Sequence, residues 1–280
     1  MANVTVLSDN TVSAVPRRLM GEWGLSFLVE TEGIVVLFDT GQSGTVVLNN
    51  GDILGIRWKE IDGIVLSHGH YDHAGGLKWV LGRIQKRVEV IAHPDAWGNK
   101  YGHNPAADFS VYAGIPFPRN ELEGLGAQFR HTTEPVWLSE SMATSGEIPL
   151  VTDYECVEDV LYTREGEEFR PDPLLDEQAL FLNTGEGVVV FSGCAHRGIV
   201  NALRRALDVT GEDRINAVLG GAQVFRMSTG DLERTIADFK KLGVKKVGLS
   251  HSTNMTAISR LAQEFGKGFF LNMAGTKLSF

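Results

Sequence analysis

His68, His70, Asp72 and His73 place three imidazoles and a carboxylate within six consecutive positions, directly after the apolar run Gly63-Ile64-Val65-Leu66. Left to themselves at the end of a buried strand, such groups would repel on protonation or lose their hydrogen-bond partners. Neutral imidazole and carboxylate are both good ligands for a divalent first-row metal, so the chemistry indicated is metal binding. In an extended stretch alternate residues point the same way, which puts His68, His70 and Asp72 on one side and His73 opposite. A turn into a following helix brings His73 round to a second metal. The plain alternative is a solvated histidine-rich turn, but histidines seldom gather without a metal or proton-transfer role.

A metal site of this kind needs further ligands, and two more histidines stand in the same relative place. His196 follows the apolar run Val188–Phe191, and His251 follows Val247-Gly248-Leu249-Ser250. Both sit just past the C-terminal ends of predicted buried strands, where ligands collect in layered α/β arrangements. The ligand sets expected are His68, His70 and His196 on one metal, with Asp72, His73 and His251 on the other. Three protein ligands each leave room for water, as a catalytic site requires. A hydroxide shared by two metals about 3.5–4 Å apart is a nucleophile at neutral pH. Asp72 and His196 are therefore read as catalytic as well as metal-binding. Two divalent ions are the expected cofactors, zinc first, with manganese or iron compatible with ligands rich in nitrogen and oxygen.

Strands and helices must hold these residues in place. Strand-like stretches run over 4–7, 25–30 and 34–38, then the motif strand 63–66, a helix over about 75–85 and a strand over 88–92. The second half repeats that grammar. Strands are predicted at 179–182, 188–192, 217–219, 246–249, 268–271 and 277–279, and helices at 199–207, 232–242 and 256–265. Two strand-rich halves, each closing with helices, fit one α/β domain over 1–280: a sandwich of two sheets with helices on both outer faces. The section from about 95 to 173 reads differently, with poor periodicity and many prolines and glycines. A long irregular segment in a compact domain is usually a lid or substrate loop, and that role is expected here.

Bulk properties narrow the function. The formal net charge of −9 argues against a nucleic-acid or anionic-membrane partner. Two cysteines, Cys156 and Cys194, cannot build a disulfide framework and suit a reducing compartment. The first residues carry no basic region followed by an apolar stretch, and no run approaches the roughly 20 apolar residues of a membrane span. A cytoplasmic protein is expected, with a homo-oligomer left open.

The H-x-H-x-D-H pattern resembles the metallo-β-lactamase superfamily at every position. Ile34-Val35-Val36-Leu37-Phe38-Asp39-Thr40-Gly41 and Ala74-Gly75-Gly76-Leu77 resemble its flanking segments. Narrower likeness lies in Gly24–Glu30, Ala92-His93-Pro94-Asp95-Ala96, Ser145–Pro149, Asp176-Glu177-Gln178-Ala179-Leu180, Ser192–Asn201 and Ser250-His251-Ser252-Thr253. In order, these look like the branch named for dihydropterin ribofuranosyl-aminobenzene-phosphate synthase, and the likeness spans almost the whole chain. It implies a four-layer αββα sandwich of two mixed β-sheets flanked by helices. It also implies that Asp39 orients the histidine-rich loop without binding metal, and that His251 is the last metal histidine. Many hydrolytic members carry a bridging aspartate where this chain has Cys194. That thiol is either a substitute ligand or a small packed side chain, and packing beside the metals is expected. The branch commonly has histidine at Gln223, and glutamine there is suited to hydrogen-bonding substrate or water.

Substrate contacts are expected from Arg197, Gln223, Ser252, Asn254 and His93. Arg197 adjoins His196 and either holds an anionic group or is an ordinary exposed arginine. Ser252 and Asn254 sit at a helix start, where anions bind well. His93 recurs in the branch pattern and is read as lining the pocket. The leading function is a dinuclear metal-dependent hydrolase of a small phosphorylated or cyclic ester. The alternatives are a pterin–ribofuranosyl-aminobenzene-phosphate synthase on the same site, or a non-catalytic metal-dependent binding protein. A synthase would need a stacking aromatic, with Trp97, Tyr101, Phe109 and Trp137 as candidates.

Overall fold

The computed structural model describes residues 1–107, 109–224 and 227–280. In chain order the first half holds β1 (Asn3–Ser8), β2 (Ser26–Glu30), β3 (Val35–Phe38), α1 (Thr45–Leu54), β4 (Gly63–Val65), α2 (Tyr71–Ala74), α3 (Leu77–Ile84) and β5 (Val88–Ala92). The middle holds β6 (Lys100–Asn104), β7 (Phe109–Tyr112), α4 (Arg119–Gly124), β8 (Ala127–His131), β9 (Met142–Thr144), β10 (Leu161–Glu165) and β11 (Glu168–Pro171). The last part holds β12 (Leu180–Thr184), β13 (Gly187–Ser192), α5 (Ile199–Thr210), β14 (Ile215–Gly220), α6 (Thr229–Lys241), β15 (Lys246–Leu249), α7 (Met255–Phe265) and β16 (Lys277–Ser279).

Two mixed sheets face each other. One runs β16-β1-β2-β3-β4-β5-β8 and the other β15-β14-β13-β12-β9. Strands β3, β4, β5 and β8 are parallel neighbours, as are β13, β14 and β15. The apolar run of β13 shows why such strands read as continuous hydrophobic stretches. Val189 and Phe191 pack between the sheets with Phe27 and Phe38, while Val188 and Val190 pack outward against Ile199 and Leu203 of α5. Buried on both faces, the strand has no polar side. The outer face of the first sheet is covered by Val47 of α1 and Val80 and Leu81 of α3. The result is the expected four-layer sandwich. Buried residues of α6, Leu232, Ile236 and Phe239, recur every three or four positions, and Ser228 caps its first turn by accepting from Asp231 N–H at 3.1 Å.

Two expectations differ from what is found, and one helix was not expected. Section 95–173 is not irregular: it contains six strands. β8 extends the first sheet, β9 extends the second, and the other four form a small antiparallel sheet in the order β11-β10-β6-β7. Strands of three to five residues, most of them with half-buried or exposed side chains, carry little periodicity. Helix α1 was hidden by Asn49-Asn50-Gly51, a turn-like triplet. Tertiary contact overrides that propensity, because the buried Asn50 amide donates to Leu7 O and Met20 O, both at 2.8 Å. The strand expected over 268–271 is a single bridge, Val247 to Phe269.

Candidate metal centre

Four of the proposed ligands lie just past the C-terminal end of a parallel strand: His68 and His70 follow β4, His196 follows β13 and His251 follows β15, while Asp39, which backs them, follows β3. The short helix α2 then turns the chain, so that Asp72 and His73 come back toward the same space. Asp39, Ala195, Gln223 and Ser252 all adopt positive φ, between 44° and 60°. Strained backbone of this kind persists only where surrounding structure holds it, and it gathers at functional sites.

Donor atoms converge from both sheets. Those of Asp72, His73, Cys194 and His251 lie within 4.8 Å of one another, and so do those of His68, Cys194 and His196. His70 stands beside the second group, with Nδ1 2.9 Å from His68 Nε2 and its ring 5.0 Å from that of His196. His73 Nε2 lies 3.2 Å from His251 Nε2, 3.1 Å from Cys194 Sγ and 3.6 Å from Asp72 Oδ2. His196 Nε2 is buried with no hydrogen-bond partner. Nitrogen lone pairs aimed at one another, and an orphaned buried nitrogen, are costly unless a cation lies between them. These residues fit divalent metal.

Opposite ring nitrogens are each held from behind. Asp39 Oδ2 lies 2.7 Å from His73 Nδ1, Glu158 Oε2 3.0 Å from His196 Nδ1, and Asn10 Oδ1 2.8 Å from His251 Nδ1. Ser67 Oγ lies 2.9 Å from His68 Nδ1 and donates to Asp39 at 2.7 Å. Such contacts fix the tautomer that turns Nε2 inward and raise ligand basicity. The two loops also approach closely: a Cβ on Gly193 would meet Ser67 Oγ at 2.2 Å.

Electrostatics in the metal-free centre follow from burial and crowding. Burial, then the neighbouring His73 charge, pushes His68 down to about 4. Burial would raise the Cys194 thiol, but His73, His251 and His196 outweigh it and hold the thiol well below its usual value. Burial likewise opposes charge on Asp72, yet His73 and His251 keep its carboxyl below the ordinary range. Cys194 was expected to pack beside the metals as a small side chain, and the donors around it also allow it the role of a ligand. Its sulfur sits among donors of both groups, in surroundings that favour thiolate.

The model of the metallo-beta-lactamase superfamily matches residues 24–251. The chain belongs to that superfamily. It is 32% identical over 265 residues to the 7,8-dihydropterin-6-methyl-4-(beta-D-ribofuranosyl)-aminobenzene-5'-phosphate synthase of Methanocaldococcus jannaschii, covering 92% of this chain and 90% of that one. A crystal structure described as a metal-dependent hydrolase of the beta-lactamase superfamily superposes with a TM-score of 0.85 at 31% identity, covering 100% of this chain and 99% of that one. A diphosphatase of the PhnP family shares the fold, with a TM-score of 0.55 at 16% identity over 100% and 98% of the two chains. Membership in the metallo-beta-lactamase superfamily implies metal ions, and the donor groups above are where this chain could hold them. No helix among the described residues is long and apolar enough to cross a membrane.

Several substrate contacts expected for this superfamily member are engaged elsewhere. Arg197 is buried, its Nε donating to Ile148 O at 2.5 Å and Nη1 to Pro173 O at 2.6 Å. These bonds fasten two loops together. His93 uses both nitrogens, Nδ1 accepting from Asp95 N–H at 3.1 Å and Nε2 meeting Glu147 Oε1 at 3.1 Å. Ser252 Oγ donates to Cys194 O at 3.2 Å, and Asn254 caps α7 by accepting from Ala257 N–H at 2.8 Å. Gln223 differs. Its Oε1 is buried without a partner, and it lines a cavity of about 350 Å³ with Ala195 and Glu158. Of the aromatic candidates, Trp97 packs on Phe129, Tyr101 lies between Tyr112 and Phe169, and Phe109 and Trp137 are exposed. An aromatic not foreseen stands beside the donors: Trp23, 54% exposed, with its ring 5.2 Å from that of His251. Glu158, Asn10 and Trp23 carried no local pattern, because their only signal is a contact distant in sequence.

Proposed function

We propose that this chain is a dinuclear metal-dependent hydrolase of a small phosphorylated or cyclic ester. His68, His70 and His196 would hold one divalent ion and Asp72, His73 and His251 the other, with Cys194 Sγ available to both. The observation that carries this reading is that one donor atom, Cys194 Sγ, belongs to both groups. A donor common to both groups is suited to binding neighbouring ions. When bound, zinc, manganese or iron supplies Lewis acidity and a water of lowered pKa.

The chain's own residues supply position. Asp39, Glu158 and Asn10 keep the imidazoles turned inward, so the donors are organised before a substrate arrives. Asp72 stays ionised in its buried place and offers an oxygen 3.3 Å from His251 Nε2. The adjoining cavity has the size for a small molecule, and Gln223 Oε1 and Glu158 Oε1 are acceptors there without partners.

A second reading is favoured by a specific finding. The synthase of M. jannaschii shares 32% identity over nearly the full length of both chains. A pterin–ribofuranosyl-aminobenzene-phosphate synthase reaction would use the same donors, with Trp23 available to stack on a planar ring. Metal-loaded protein is to be assayed against a panel of phosphomonoesters, phosphodiesters and lactones, and separately titrated with a dihydropterin. Ester turnover lost on chelation supports the hydrolase. Dihydropterin binding without ester turnover supports the synthase. Neither activity with metal bound sinks both and leaves a binding protein.

A further inference from the structure

Three consecutive side chains before β12 reach three different places. Asp176 Oδ2 accepts from Gly69 N–H at 2.8 Å. Glu177 accepts from His196 N–H at 2.6 Å and from Arg197 N–H at 2.5 Å. Gln178 donates from its side chain to Leu66 O at 2.8 Å and from its backbone to Ser67 O at 2.7 Å. All three residues are buried. One short segment therefore grips both histidine loops, 66–70 from the first sheet and 193–197 from the second. Strands β4 and β13 belong to different sheets, so no ladder of hydrogen bonds sets the distance between those loops.

A buried lysine completes the arrangement. Lys100 Nζ lies 2.8 Å from Asp176 Oδ1 and 2.8 Å from Asp172 Oδ2, and the lysine is 1% exposed. Two carboxylates this deep need a countercharge, and a pair broken at such depth leaves an uncompensated charge. At the other end, Gly69 is closely packed: a Cβ there would meet Ala96 O at 1.9 Å. The path from Lys100 through Asp176 to the turn between His68 and His70 is thus buried and paired at each step.

We propose that Lys100, Asp176 and Glu177 are positioning residues that set the separation of His68 and His70 from His196. This rests on the metal reading above. An ion held by imidazoles from two sheets needs them within about 0.5 Å of their working places. A carboxylate accepting two successive backbone N–H groups locks the His196 loop. Its neighbour in sequence, locking Gly69, ties that loop to the partner histidines. Without Glu177, two buried donors lose their acceptor and the His196 loop relaxes.

The test compares zinc affinities of the full chain by competition with a chromophoric chelator, alongside visible spectra of cobalt-loaded protein. Two affinity classes are expected in the parent. Glu177→Ala and Lys100→Met are expected to weaken one class by roughly 10- to 100-fold and the other, which shares only Cys194 with that loop, by less. Glu177→Gln keeps one acceptor oxygen, so a smaller weakening of the same class is expected; this variant carries the test if Glu177→Ala does not fold. Ile236→Ala, in α6, is the control for lost stability alone and is expected to lower Tm without moving either affinity. If Glu177→Ala, Glu177→Gln and Lys100→Met lose Tm like the control but keep both affinities, the positioning role is overturned. A parent that binds no zinc or cobalt instead overturns the metal reading, and this inference with it.

Discussion

His73 Nδ1 and Asp39 Oδ2 lie 2.7 Å apart, both side chains fully buried, while the opposite ring nitrogen faces Cys194 and His251. Asp39 also accepts from Ser67 N–H and Ser67 Oγ, each at 2.7 Å. One carboxylate therefore orients an imidazole and the start of the metal loop together. Asp39→Asn removes its charge but keeps its shape, and metal affinity is expected to fall about 10- to 100-fold with the fold intact. Chelator competition and circular dichroism check this. Unchanged affinity would remove Asp39 from the support of the centre.

His70→Ala should lower metal content and thermal stability together. A ligand that binds only the folded chain stabilises it by mass action, so a weakened site loses that contribution. Elemental analysis and thermal melts with and without chelator are the measurements. The parent's Tm should drop on chelation, and the variant's drop should be smaller. An equal drop in both would show His70 to be no ligand.

Cys194 and the exposed Cys156 are the two cysteines, so native thiol counting separates them. With metal bound, one thiol per chain should react with an alkylating reagent. After chelation a second should follow, because Cys194 is held toward thiolate by the imidazoles around it. Cys194→Ala should lose metal, not merely packing. Retention of both ions in that variant would restore the packing reading.

Metal uptake should release protons. In the metal-free chain burial lowers His251, but Cys194 and Asp72 outweigh that and raise it to about 9. A metal needs the neutral ring, so protons compete below that value, and affinity should climb as pH rises from 7 toward 9. The folded-state pKa lies above the unfolded one. Any stability from charged His251 is therefore complete below the ordinary histidine range and lost as pH rises through about 9. Calorimetry in buffers of differing ionisation enthalpy reads the proton count. Affinity independent of pH across that window would exclude His251 as a ligand.

The candidate donor residues and the elements that carry them were legible along the chain. The spacing of His68, His70, Asp72 and His73 encodes direction locally, since strand and helix geometry fix where each side chain points. Apolar runs at 188–191 and 247–249 announced buried strands, and the histidines just beyond them announced the rest of the cluster. Tertiary structure alone decided which neighbours those ligands have. Asn10 meets His251 across 241 positions, and Glu158 meets His196 across 38. Cys194 stands among donors from both sheets instead of in an apolar core. Arg197, beside His196 in sequence, turns away to Ile148 and Pro173. A side chain's direction is a local property of backbone geometry; its partner is set by how two sheets pack, and no short-range pattern carries that distance.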